Sequence, residues 1–286
     1  MKARTPIVIL LIMLVSLSVM ASANVQAQAQ AKGGSDAQLS ALDQKAPKIK
    51  PSPTIATGVV SELPAGAEKY AIVIGISDYA GDVNDLDYCD DDAREFSSAL
   101  VANGWDVTLL IDGDATRENI LDAISDVRAA EDSADDQVVF FYSGHGTVGT
   151  NADSDSERKD ECIIPYECTL DAIIWDGDLA AEFSTFDSKR IMFYFDSCYS
   201  GGMTDLAGAG RLVLMACGEN QLSLESSSWE NGQFTYYFVD QGMLKGLADK
   251  NGDSRVTFEE AFDYAKAHCS RQTPVASDGF TNDMPY

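Results

Sequence analysis

The chain has 286 residues, with 46 acidic against 20 basic side chains and a formal charge of −26. Such a balance argues against nucleic acid, whose phosphates need basic patches. It favours cationic peptides and divalent cations, although a surface kept soluble in a salty setting accounts for the bulk of it. Six cysteines in an exported chain suggest disulfides, yet no dense framework spacing is present, and the lack of C-x-x-C or a Cys/His cluster argues against zinc.

In chain order, Lys2 and Arg4 precede an apolar run from Ile7 to Met20, followed by Ala21, Ser22 and Ala23. This is the pattern of a cleaved export signal over 1–23 and predicts a secreted or cell-surface protein. The run is short for a membrane span, so no stable membrane insertion is expected once the signal is removed; uncleaved, it would anchor the chain. Residues 24–66, rich in Ala, Gln, Ser, Lys and Pro without sustained periodicity, read as a low-complexity tether or pro-segment. The remainder, 67–286, is long enough for one α/β domain.

Within it, Lys69–Gly75 is a continuous apolar run, as expected of a strand covered on both faces. Asp91–Asn103 carries Ala93, Phe96, Ala99 and Leu100 at helical spacing, with acids at its start and Gly104 after it. Trp105–Ile111 reads as a second strand, and Thr116 caps a helix to about Ala130 with Ile120, Ile124 and Val127 on one face. Gln137–Tyr142 is a third strand, 149–161 a polar loop, and Cys162–Pro165 a short extended piece. A helix over Asp178–Phe186 precedes strands Arg190–Phe195 and Arg211–Ala216, and helices over Thr235–Lys245 and Phe258–His268 close the chain. This order predicts a mostly parallel sheet flanked by helices, with its ligand site at the carboxyl ends of the strands.

Two of those ends carry chemistry. The third strand runs into Ser143-Gly144-His145-Gly146, and the strand over 190–195 into Asp196-Ser197-Cys198-Tyr199-Ser200-Gly201-Gly202. Taken singly, His145 suits a turn histidine and Cys198 a buried small apolar residue. Together, at one sheet edge and beside glycines that permit close backbone approach, they read as a nucleophile and its base. The second histidine, His268, falls late in a helix and reads as a surface residue.

These segments resemble the caspase-like cysteine peptidases, and more closely the prokaryotic metacaspase-like proteins. The matching pieces are K-Y-A-I-V-I-G-I-S-D-Y at 69–79, F-F-Y-S-G-H-G at 140–146, F-D-S-C-Y-S-G-G at 195–202, the Ile164-Pro165-Tyr166 region and F-T-Y-Y-F at 234–238. The resemblance implies the three-layer caspase–haemoglobinase fold, a His145–Cys198 dyad, and an oxyanion site from the backbone N–H groups of Gly146 and Cys198. It also implies that Asp92, in a stretch matching C-x-x-D-A from Cys89, and Asp196 line the S1 pocket, with Cys89 and Ser143 nearby. Two carboxylates there prefer a cationic P1 side chain and repel an acidic one, so the expected reaction is hydrolysis after Arg or Lys. Alternatively, Asp90–Asp92 is only an acidic helix start favoured by the dipole.

Asp249–Glu260 fits a twelve-residue EF-hand calcium loop, with Asp249, Asn251, Asp253, Thr257 and Glu260 supplying side-chain oxygens or water bridges and Arg255 its carbonyl. Ser254 stands where that loop normally has Gly. A second acidic run, Asp153, Asp155, Glu157, Asp160 and Glu161, reads as a solvated loop, or as a further calcium site by resemblance to calcium-dependent metacaspases. Its Arg158-Lys159 pair suits self-cleavage. No organic cofactor is expected. Competing readings are a clostripain- or legumain-like peptidase with another P1 preference, and a catalytically silent, calcium-binding extracellular module.

Overall fold

The computed structural model describes residues 54–150, 152 and 159–286. The expected signal at 1–23, residues 24–53 of the expected tether, and Asp153, Asp155, Glu157 and Arg158 lie outside the described residues.

Five parallel strands form the centre: β1 (Lys69–Gly75), β2 (Asp106–Ile111), β3 (Gln137–Ser143), β7 (Arg190–Asp196) and β8 (Arg211–Met215). A sixth, β11 (Val275–Asp278), joins antiparallel to β8, giving the order β11-β8-β7-β3-β1-β2. The continuous apolar runs arise because successive side chains point to opposite faces, and both faces are covered. Ala71, Val73, Val139, Phe141, Met192 and Tyr194 enter one core. Ile72, Ile74, Val138, Phe140, Ile191 and Phe193 enter the other.

Helix α1 (Cys89–Ala102), the short α4 (Gln233–Thr235) with its π-helical continuation Tyr236–Leu244, and α5 (Phe258–His268) supply the first layer. There Phe96, Phe141, Tyr194 and Phe234 form a run of stacked rings with centroids 4.7–4.8 Å apart. Helices α2 (Arg117–Ala130) and α3 (Asp176–Phe183) supply the second layer. Thr116 caps α2 as expected, its hydroxyl oxygen accepting from Asn119 N–H at 3.2 Å. The expected three-layer α/β/α architecture is therefore present. Two small antiparallel groups sit beside the main sheet: β4 (Gly146–Val148), β5 (Glu161–Ile163) and β6 (Ile174–Trp175) in one, and the pair β9 (Glu225–Ser226) and β10 (Asn231–Gly232) in the other.

Residues 54–66, read from composition as the end of a tether, are fastened to the domain. Asp263 accepts from the N–H groups of Ile55 and Ala56 at 3.0 and 3.1 Å, and Asp283 accepts from those of Thr57 and Gly58, both at 2.7 Å. Arg190 donates to the carbonyls of Ser61 and Glu62. All six cysteines are free, so the even count does not correspond to disulfides.

Candidate active site

Strands β3 and β7 are adjacent and parallel, with Ser143 opposite Asp196 at their carboxyl ends. His145 and Cys198 each follow two residues later. The register thus brings both to one rim, and both line the same narrow cleft. A β-carbon on Gly146 would lie 2.3 Å from the Cys198 carbonyl oxygen, so only glycine allows the two turns to meet. Tyr199, next to Cys198, holds a left-handed φ of 63°, a conformation costing on the order of 1–3 kcal/mol in a non-glycine residue. The turn that displays the sulfur is thereby strained.

His145 is held on three sides. Its Nε2 lies 2.7 Å from the Asn84 carbonyl oxygen. A carbonyl only accepts, so Nε2 carries the hydrogen and Nδ1 keeps the lone pair a base needs. The backbone N–H of His145 donates to Tyr79 Oη at 2.8 Å, and its carbonyl accepts from Tyr142 Oη at 2.7 Å. The Tyr79 ring also lies against the imidazole, with centroids 4.8 Å apart. Gly144 leaves room for both phenols, since a β-carbon there would sit 2.6 Å from each hydroxyl.

Burial disfavours charge on either partner. His145 is 7% exposed, and loss of water lowers its pKa below the usual imidazole value. Burial pushes the Cys198 thiol up to about 12, with Cys217 adding to the shift. The thiol accordingly donates to the Ser223 carbonyl, 3.8 Å away.

The same cleft is acidic. Asp92 and Asp196 are 0% and 5% exposed, and burial raises the pKa of both; for Asp92 the neighbouring Asp196 raises it further. Fixed donors offset part of that cost. Asp92 accepts from Ser143 Oγ at 2.7 Å and from Gly232 N–H at 3.0 Å. Asp196 accepts from the Ser223 hydroxyl and from Thr235 N–H and Oγ1 at 3.0 and 2.9 Å. Gly232 fits between the two acids: a β-carbon there would lie 2.5 Å from Asp196 Oδ2 and 3.0 Å from Asp92 Oδ2.

Cys89, Ser143 and a third acid, Glu225, also line the cleft. Glu225 accepts from Asp87 and Tyr88 N–H, both at 3.0 Å, which fixes the start of α1. Among the described residues lining the cleft there is no Lys or Arg. All four expected substrate-side residues therefore line the same cleft as His145 and Cys198. Sequence reasoning missed Asn84, Ser223 and Glu225, which belong to no visible pattern, and assigned no role to Tyr79, although it ends the quoted I-S-D-Y segment.

The loop at 249–260 does not converge in the same way. Asp249 accepts from Gly252 and Ser254 N–H at 2.7 and 3.0 Å, Asn251 from Asp253 N–H at 2.8 Å, and Asp253 from Arg255 N–H at 2.8 Å. Ser254 takes the left-handed φ of 68° that glycine normally supplies. Thr257 and Glu260 cap α5 reciprocally. Among the described residues, no group of three or more His, Cys, Asp or Glu is gathered closely enough to hold a metal ion. Of the second acidic run, Asp160 and Glu161 are buried. Lys159 bridges Glu161 and Glu219 at 3.0 and 2.9 Å.

A parallel sheet presenting an imidazole and a thiol from neighbouring strand ends, above a carboxylate-lined cleft, defines a caspase-type α/β domain. The chain belongs to the caspase-domain family, which it matches over residues 68–279. It is 35% identical over 150 residues to metacaspase-4 of Arabidopsis thaliana, covering 49% of this chain and 35% of that one. To metacaspase-2 of Trypanosoma brucei brucei it is 32% identical over 162 residues, 52% of this chain and 46% of that one. A trypanosome protein named inactive metacaspase-4 is 31% identical over 161 residues, 51% of this chain and 44% of that one. The chain thus spans less than half the length of these relatives. A solved structure from Geobacter sulfurreducens shares the fold, with a TM-score of 0.58 and 21% identity over 76% of this chain and 95% of that one.

Proposed function

We propose that the protein is an exported cysteine endopeptidase of metacaspase type that cleaves after Arg or Lys. One observation carries the reading: the imidazole, the thiol and three carboxylates line a single cleft whose described lining holds no cationic side chain. A guanidinium or ammonium entering it meets Asp92, Asp196 and Glu225, whereas an acidic P1 group meets like charge.

In this mechanism Nδ1 of His145 takes the Cys198 proton as the sulfur attacks the carbonyl carbon of the scissile bond. The carbonyl oxygen takes the negative charge facing the N–H groups of Gly146 and Cys198, fixed donors of a kind worth several kcal/mol. The imidazolium then gives its proton to the departing amine. Water, deprotonated by the same imidazole, cleaves the thioester to release the acid and restore the thiol.

The export reading rests on the pattern at 1–23. Calcium at 249–260 rests on the spacing of its oxygen-bearing residues; the ion would compete with loop N–H groups for those oxygens, and no catalytic step runs through it. The test of function is hydrolysis of Arg-, Lys-, Asp- and Asn-ended fluorogenic peptides side by side, with Cys198→Ala as the blank. Cleavage of the Arg and Lys peptides alone is expected; preference for Asp or Asn overturns the specificity, and activity in the blank overturns the mechanism.

A further inference from the structure

Gln272 lies outside the short motifs that carry the resemblance, yet its side chain reaches beneath the cleft and is 2% exposed. Its orientation is unambiguous. Oε1 faces the Leu224 N–H at 3.0 Å and Nε2 faces the Ala216 carbonyl at 3.1 Å, so the donor and acceptor ends of the amide cannot be exchanged. Nε2 also lies 3.0 Å from Ser223 Oγ. The amide therefore donates to the serine oxygen, which leaves the serine hydroxyl hydrogen for Asp196 Oδ1, its other close partner. Thr235 supplies the remaining two donors to Asp196 through Oδ2.

We infer that Gln272 is a positioning residue for P1 recognition: by orienting the Ser223 hydroxyl it keeps Asp196 supplied with three donors, and so holds that buried carboxylate as the anion that receives the P1 cation. A carboxylate bonded to fixed donors keeps its charge in a site where burial would otherwise favour its neutral form. The inference rests on the basic-P1 reading above.

The test compares Gln272→Glu, Ser223→Ala and the double variant on peptides ending in Arg and in citrulline, its uncharged near-isostere. Glu at 272 still accepts from Leu224 but turns the Ser223 hydroxyl towards itself. Each single variant should raise KM for the Arg peptide about tenfold, the loss expected for one hydrogen bond to a charged group. With kcat within about threefold and citrulline cleavage unchanged, the Arg/citrulline ratio should fall. Because both substitutions break the same link, the double variant should be no worse than either single one.

An unchanged ratio, an equal loss on both peptides, or multiplicative losses would overturn the inference. If Gln272→Glu does not fold, Gln272→Met is read by the same ratio, and a wild-type ratio in Ser223→Ala alone is enough to reject it. Wild-type preference for Asp or Asn would instead sink the underlying reading, a result distinguishable before any variant is made.

Discussion

Carboxylates crowd two places in this protein, the cleft beside Cys198 and the loop at 249–260, and they are satisfied in opposite ways. In the cleft, Asp92 and Asp196 come from a helix start and a strand end and take their hydrogen bonds from Ser143, Ser223, Gly232 and Thr235, all distant in sequence. In the loop, Asp249, Asn251 and Asp253 accept from N–H groups two to five residues onward. Long-range donors fix buried acids around a cleft; short-range donors stabilise a turn that stands exposed. A row of acids in a sequence does not tell the two cases apart.

Substitutions can break or sharpen this contrast. The largest effect should come from the rim itself: Cys198→Ala or His145→Ala should lower kcat/KM by about 10⁴-fold or more, measured with an Arg-ended peptide. Gly146→Ala should lower kcat by about 10²-fold, since its β-carbon would strike the Cys198 carbonyl and displace the proposed oxyanion donors. Asp92→Asn should trade function for stability. A buried acid with a raised pKa stabilises the fold while protonated, and that contribution is lost as pH rises through the raised value. The variant should therefore cleave Arg peptides poorly yet melt about 3 °C higher at pH 8, with the gap closing on acidification; calorimetry across pH checks the sign.

Tyr79→Phe keeps the ring against His145 and loses the acceptor for its N–H. It should lower kcat about tenfold with little change in KM. The smallest effect belongs to the loop: Asp249→Asn should leave kcat/KM within about twofold. If millimolar calcium fails to raise the wild-type melting temperature, and EDTA fails to lower it, the loop is a turn and not a metal site.

Much of the fold was legible because its central strands β1, β3, β7 and β8 are buried on both faces. Continuous runs such as Gln137–Tyr142 have few other readings, and His145 and Cys198 each follow such a run closely. Strand β11 escaped because it is a four-residue, half-exposed edge strand with no apolar run. The attachment of 54–62 escaped because it depends on Asp263 and Asp283, some two hundred residues away. Within the site, Cys198, His145, Asp92 and Asp196 lie in recognisable motifs. Asn84 acts through a backbone carbonyl, which no side-chain pattern can reveal. Gln272 acts through an amide brought in by the last crossover to β11.

The central claim is that one cleft both selects a basic side chain and presents a reactive sulfur to it. Intact-mass and peptide mapping after treatment with chloromethyl ketone peptides ending in Arg or in Asp tests it most directly. The account predicts stoichiometric alkylation of Cys198 by the Arg reagent, lost in His145→Ala, and little reaction with the Asp reagent. Alkylation of another cysteine, or equal labelling by both reagents, would contradict it.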